Sequence, residues 1–142
     1  MSETVSLVSL MTPSKTVQFS YPGHMDFKVD LCYLSREELI KLRKRCLTTK
    51  FDKKTRQPTE ILDEDRFMSD YVSSVVKGWS GLKYRIVEEL ILIDTSDLDL
   101  EEELPYTEEN ALALMKNSSE FDTWVTETVG DLENFTTSRS QR

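Results

Sequence analysis

The sequence predicts an α+β fold that is mainly helical, in which an N-terminal β-hairpin packs on a bundle of four to five helices. Two observations lead to this prediction. Apolar and polar residues alternate in the first quarter of the chain, which is the period of a half-buried strand, and apolar residues then recur at helical spacing. With 142 residues, of which 38% are hydrophobic, the chain is long enough for one domain with one core.

The hairpin is predicted from two alternating segments. Apolar residues alternate with polar ones over residues 15–21 and again over residues 27–33. Pro22 and Gly23 lie between the two segments, and both are typical turn residues. We therefore expect an antiparallel hairpin over residues 15–34.

The first two helices are predicted from their capping residues and their apolar spacing. Ser35 and Glu38 fit a capping box, which satisfies free backbone N–H groups at the start of a helix. The second helix is expected over residues 63–77, with three acidic residues in its first turn and an apolar face that ends at Trp79. A basic loop is expected between them, at residues 50–58.

The remaining helices are predicted in the second half of the chain. Residues 82–93 fit either a short helix or a buried strand. An acidic loop follows at residues 94–107, and Thr107 is expected to cap a third helix over residues 108–116. Ser119 is expected to start a fourth helix, in which the apolar stripe continues.

These elements define a simple domain organisation. A flexible N-terminal arm is predicted for residues 1–14, which are rich in Ser and Thr. A single domain is expected over residues 15–135, made of the hairpin and a helical part at 35–135. Residues 136–142 form a polar tail.

Charge is distributed unevenly along this acidic chain, whose formal net charge is -8. Residues 36–56 carry nine basic and three acidic side chains, whereas residues 57–142 carry seven basic and twenty acidic ones. Nucleic acid is not expected as the main partner, because phosphate binding requires a basic surface. Regions of opposite sign allow the chain to pair with a second copy, head to tail, or with a partner of either sign, although solubility and internal ion pairs account for the same pattern.

The sequence contains no motif typical of an enzyme. The glycines form no phosphate-binding loop, the two cysteines lack metal-site spacing, and the single histidine, His24, has no nucleophile motif beside it. The acidic loop lacks the central glycine and the spacing of an EF-hand. No apolar run suggests a signal peptide or a membrane span. We therefore expect a binding protein with no catalytic residue, cofactor or metal.

Aromatic and apolar residues near the ends of the helical stripes are the candidates for partner binding. Buried aromatic residues often anchor interfaces and grooves that receive a partner's helix. Packing in the protein's own core is the alternative explanation for the same residues. The predicted partner-binding residues are Tyr71, Val75, Trp79, Leu82 and Trp124.

Four motifs, taken in their order along the chain, resemble the tail assembly chaperones of long-tailed, siphovirus-like bacteriophages. The motifs are YLSREEL at 33–39, TKFDKKT at 49–55, VKGWSGL at 76–82 and LPYTEENAL at 104–112. The resemblance covers roughly residues 15–135. Its most specific parts are the Trp-x-Gly-Leu step and the Pro-Tyr-Thr-x-x-Asn-Ala-Leu step.

The resemblance implies a small, mainly helical, non-enzymatic protein. Such chaperones act in the cytoplasm of the infected bacterial host and are absent from the mature virion. They bind the tape measure protein and keep it soluble until tail tube subunits polymerise around it. Many are also made as a longer frameshifted product that recruits the tail tube protein. The implied partners are therefore the tape measure protein and the tail tube protein, with no nucleic acid and no membrane.

Two other functions remain open from the sequence. A tail-completion or connector protein would be retained in the virion, so it would be found in purified particles. A small acidic regulatory or inhibitor protein would hold its acidic residues on one rigid face, whereas a mobile loop at 94–109 would count against that function.

Overall fold

The computed structural model describes residues 6–12 and 14–136, and it contains both helices and strands in this part of the chain. The helices are α1 (Leu7–Leu10), α2 (Arg36–Arg45), α3 (Glu64–Val75), α4 (Tyr84–Leu90), α5 (Glu108–Asn117) and α6 (Ser119–Val129), followed by a 3₁₀ helix at Leu132–Phe135. The strands are β1 (Ser14–Tyr21), β2 (His24–Leu34), β3 (Leu47–Phe51), β4 (Pro58–Leu62) and β5 (Val76–Ser80).

The central sheet has three antiparallel strands in the order β1-β2-β5. The β1–β2 pair is the predicted hairpin, and Gly23 occupies its turn with a φ of 85°. Strand β5 pairs with the other edge of β2, placing Trp79 opposite Val29. The middle strand is the best buried of the three, because it is covered by a neighbour on each edge and by helices on one face.

Helices α3 and α6 pack against β2, and α5 packs against both of these helices. Their apolar faces meet the inward side chains of the sheet in one continuous core. The largest fully buried side chains of the described chain include Phe27, Leu31, Leu82, Leu114 and Phe121. The core therefore lies between a sheet and a layer of helices, which is a two-layer α+β arrangement.

A second, two-stranded sheet is formed by β3 and β4, which pair in register from Leu47 opposite Leu62 to Phe51 opposite Pro58. Most of its side chains are exposed, and it lies between α2 and α3 in the chain. The basic loop predicted at 50–58 is therefore shorter than expected, since residues at both its ends belong to strands.

The predicted fold class is wrong in its main feature. We expected a mainly α protein with a hairpin packed on a bundle of four to five helices, whereas 45% of the structure is helical, 28% is strand, and there are two sheets in the described residues. The helices pack on the sheet rather than only on one another. The correct description is α+β with a three-stranded sheet as one full layer.

Several element boundaries also differ from the predictions. The second predicted helix ends at Val75, and its last residues belong to β5. Residues 84–90 within the ambiguous segment form a helix. The side chain of Ser118, rather than Ser119, caps α6 by accepting a hydrogen bond from the backbone N–H of Phe121 at 3.1 Å.

The predicted terminal segments fall partly outside the described residues. Of the arm at 1–14, residues 1–5 and 13 are not described, and the short helix α1 packs no buried residue against the domain. Of the tail at 136–142, only Thr136 is described.

Candidate functional site

An open groove of about 400 Å³ runs between α3 and α6, and its lining is mainly apolar. Leu62, Phe67, Met68 and Tyr71 supply its apolar lining. The last three of these lie on one face of α3, because residues at spacings of three and four are neighbours on a helix. All four are half-buried, so each presents apolar surface to solvent within the groove.

The polar part of the groove is acidic. Glu64, in the first turn of α3, and Asp122, on α6, line it together with the hydroxyl of Thr126. No basic side chain lines it. An apolar trough with carboxylates beside it suits an amphipathic helix whose apolar stripe is flanked by Lys or Arg.

Tyr71 is held in the groove by its own helix and by α6. Its ring stacks on that of Phe67, with centroids 6.0 Å apart and planes inclined at 24°. Burial raises the pKa of the Tyr71 phenol and the nearby Asp122 carboxylate raises it further, while a hydrogen bond with Thr126 acts in the opposite direction. The phenol is therefore neutral near pH 7 and offers a hydrogen-bonding group beside the apolar lining.

Two of the five predicted partner-binding residues lie in the core. Val75 is 1% exposed and Leu82 is 0% exposed, so neither can contact a partner while the domain is folded. Both pack in the cluster that also contains Ile86 and Leu114. An apolar stripe marks the side of a helix that is buried without distinguishing the core from an interface, and these two residues belong to the core.

Trp79 makes internal contacts on both its polar and its aromatic surface. Its indole N–H donates a hydrogen bond to the carbonyl of Leu104 at 2.9 Å. Its ring meets that of Tyr106 edge to face at 5.1 Å, and the Tyr106 hydroxyl donates to the carbonyl of Val76 at 2.6 Å. Trp79 thus fastens β5 to the segment that leads into α5.

Trp124 is half-buried on α6 and packs on the N-terminal hairpin. Its ring lies edge to face with that of Tyr21 at 4.9 Å and contacts Phe121 at 6.0 Å. Only Tyr71 among the predicted residues lines the α3–α6 groove.

Comparison with known protein families identifies the family of this chain. The model of the family described as YdaY prophage protein matches residues 36–142. The chain belongs to this prophage family. No curated protein and no solved structure matches it. The matched region begins at α2 and includes the whole α3–α6 groove, so the groove belongs to the part of this phage protein that defines the family.

Three groove residues of this YdaY family member were missed by the sequence analysis. Phe67 and Met68 belong to the recognised stripe of α3, but the candidates were chosen from its C-terminal end. Leu62 lies on β4, a strand that the sequence analysis did not predict. The available signal was the width of the stripe, since a helix whose apolar face exceeds what one neighbour can cover leaves part of that face exposed.

The acidic loop of this family member is held against the domain by backbone hydrogen bonds. The N–H of Tyr84 donates to the carbonyl of Glu102 at 2.9 Å, and the N–H of Leu104 donates to Leu82 at 2.8 Å. Lys83 and Glu103 form an isolated β-bridge between these bonds. The C-terminal end of the loop, around Glu102 and Glu103, is therefore fixed against the domain.

Neither a metal site nor a membrane-spanning helix is found in the described part of this prophage protein. No group of three or more His, Cys, Asp or Glu side chains there could hold a metal ion. None of the helices there has both the length and the apolarity needed to cross a membrane.

Proposed function

We propose that this prophage protein is a tail assembly chaperone. It binds the tape measure protein, keeps it soluble and helps to recruit tail tube subunits. Membership of a prophage family supports the phage setting of this proposal. The motif resemblance supports the particular role, and the α3–α6 groove supplies a surface suited to it.

The observation that carries the proposal is the apolar lining of the groove. A tape measure protein is a long helical chain with exposed apolar stripes, and a holdase must cover such a stripe without losing its own solubility. Phe67, Met68 and Tyr71 lie within five residues of α3, a little more than one helical turn, and so offer an anchoring point for a segment of a client helix. The net charge of -8 keeps the chaperone itself soluble.

Co-expression with the tape measure protein of the same prophage tests this function. The measurement is the soluble fraction of the tape measure protein with wild type, with Met68→Glu and with Leu132→Glu. Met68 lines the groove, whereas Leu132 is an exposed apolar residue of the final 3₁₀ helix and lies outside the groove lining. Both variants replace an apolar side chain by a carboxylate, so they are matched in net charge.

Wild type and Leu132→Glu are expected to keep the tape measure protein soluble, and Met68→Glu is expected to fail. Thermal unfolding of each variant separates loss of binding from loss of folding. If wild type leaves the tape measure protein insoluble, the proposed function is wrong. If all three proteins work equally well, the function stands and the groove is not its site. Recovery of the protein from purified virions would instead favour a connector.

A small acidic regulatory or inhibitor protein is the second candidate, because hydrogen bonds fix the backbone at the C-terminal end of the acidic loop. An acidic mimic of nucleic acid would release DNA from a basic DNA-binding protein of the same prophage. Fluorescence anisotropy of labelled DNA measures that release. A variant with Asp97→Asn and Glu102→Gln should lose the effect, and no release by wild type would exclude this candidate.

A further inference from the structure

The exposed side of α2 combines apolar and basic residues. Leu39 is 37% exposed and Ile40 is 44% exposed, although α2 packs on the domain through the fully buried Leu42. Arg36, Leu39, Ile40, Arg43 and Lys44 are all exposed and share one side of the helix, and we name them the basic α2 face. Large apolar side chains among cations on an unpartnered helix face are typical of a protein interface.

The cations of the basic α2 face have no ion-pair partner in the described part of the chain. The ion pairs formed by α2 there join Lys41 to Glu37 and Glu38, and none involves a residue of the face. Three cations are therefore available to an external acidic partner. Because they surround Leu39 and Ile40, that partner must also offer apolar surface.

The acidic loop of the same protein has the complementary composition. Leu92, just before the loop, is fully exposed, and Leu98 within it is 38% exposed. Within the described residues, Asp97 and Glu102 are exposed and form no ion pair. Glu101 is the one carboxylate of the described loop that forms ion pairs, with Lys83 and Arg85. The loop and the residue before it thus present both unpaired acids and exposed leucines.

We propose that copies of this protein associate head to tail, with the basic α2 face of one copy docked on the acidic loop of the next. The complementary charge and the shared apolar character of the two surfaces carry this assignment. No ion pair joins the two surfaces within one chain in the described part of the protein. Because each copy contributes two different surfaces, the interface is heterologous and generates a ring or a filament.

A second copy fits the basic α2 face better than nucleic acid does. A phosphate backbone would pair with Arg36, Arg43 and Lys44 but would leave Leu39 and Ile40 without apolar contacts. The net charge of -8 also opposes the approach of a polyanion to the protein as a whole. The acidic loop supplies both charge and apolar side chains.

Sedimentation velocity on the purified full chain, without any client, tests the association over a concentration series. At low salt the weight-average mass is expected to rise at least about twofold above the 16.5 kDa of the monomer, and it should return to that mass at about 0.5 M salt. A mass that stays monomeric at low salt and high concentration overturns the proposal. This readout is independent of the tape measure protein, so it can fail while the chaperone function stands, or the reverse.

Charge-reversal variants identify the two surfaces. Arg43→Glu with Lys44→Glu removes the basic α2 face, and Asp97→Lys with Glu102→Lys removes the acidic surface. Each double variant alone should remain monomeric. A mixture of the two should associate again, because the intact basic face meets the intact acidic loop and the two reversed surfaces also carry opposite charges. A mixture that stays monomeric contradicts the head-to-tail arrangement.

A matched control and a competitor complete the experiment. Lys53→Glu with Lys54→Glu makes the same change in net charge on the exposed β3–β4 loop, and it should associate like wild type. If the control dissociates as fully as the α2 variant, the association is non-specific. Duplex DNA that binds wild type at the same salt, and not the α2 variant, would assign the basic α2 face to nucleic acid and overturn the proposal.

Discussion

Gly81 is the position at which one added methyl group should be most damaging. It connects β5 to α4 with a φ of 73°, a conformation that residues with a Cβ adopt at a cost of about 1 kcal/mol. A Cβ at Gly81 would also overlap the backbone carbonyl of Asp26, with its carbon 2.8 Å away. The neighbours Phe27 and Leu82 are fully buried, so the backbone can yield only by disturbing the core.

We therefore expect Gly81→Ala to lower the free energy of unfolding by about 3 kcal/mol, as the sum of about 1 kcal/mol for φ and about 2 kcal/mol for strain. At roughly 4 °C per kcal/mol, the melting temperature should fall by about 12 °C. Urea unfolding followed by circular dichroism measures the first quantity and a thermal scan measures the second.

Two other glycines provide matched controls for Gly81. Gly23 has a φ of 85° but nothing within 4 Å of an added Cβ, so Gly23→Ala should cost only about 1 kcal/mol. At Gly78 the nearest atom is an Asp30 carboxylate oxygen at 2.9 Å, which belongs to a side chain that can rotate away. If Gly81→Ala costs no more than Gly23→Ala, then the Asp26 carbonyl does not lie beneath Gly81, and the placement of β5 against β2 is wrong.

Two further predictions concern contacts of the acidic loop and of the segment that follows it. Trp79→Phe keeps an aromatic ring beside Tyr106 but removes the hydrogen bond to the carbonyl of Leu104. Urea unfolding should therefore show that the free energy of unfolding falls by about 1 kcal/mol. An unchanged free energy of unfolding would mean that this bond contributes nothing to stability. A hydrogen bond from Lys83, with Arg85 nearby, holds the pKa of Glu101 below its ordinary 4.5. The ionised Glu101 carboxylate therefore stabilises the folded protein above pH 4.5, and this stabilisation is lost as the pH falls through the lower pKa of the folded state. The melting temperature of Glu101→Gln should therefore fall less steeply below pH 4.5 than that of wild type, and parallel profiles would show that the pair is not formed.

The N-terminal hairpin could be predicted from the sequence because its signal is local. Alternation fixes which side chains face inward, and the turn residues fix where the chain reverses. In the structure Val17 lies opposite Leu31 and Phe19 opposite Val29, so the two alternating segments meet in the expected way. Caps at Ser35 and Thr107 are local signals of the same kind.

Strand β5 could not be predicted because its apolar spacing imitates a helix. Val72, Val75, Val76 and Trp79 continue the three-and-four spacing of α3 across the boundary between the helix and the strand. What ends the helix is the pairing of residues 76–80 with β2, about fifty residues earlier in the chain. That pairing is a tertiary contact, and no local pattern specifies it.

The second hairpin was missed for the opposite reason. Strands β3 and β4 lie mostly outside the core, so burial imposes no alternation of apolar residues on them. The prediction of the groove was limited by the same error, because Leu62 at the end of β4 forms part of its lining.

The contact between Trp79 and Tyr106 bears on how much a motif can say about function. These residues belong to the two most specific steps of the resemblance to tail assembly chaperones, and in the structure each completes the packing of the other. Because Trp79 and Tyr106 pack on each other, the stability of the fold is by itself enough to explain why both steps occur together. Evidence for the chaperone function must therefore come from surfaces that folding does not require. Variants at Trp79 should lower stability and every activity together, whereas Met68→Glu should lower client binding by more than its loss of stability accounts for.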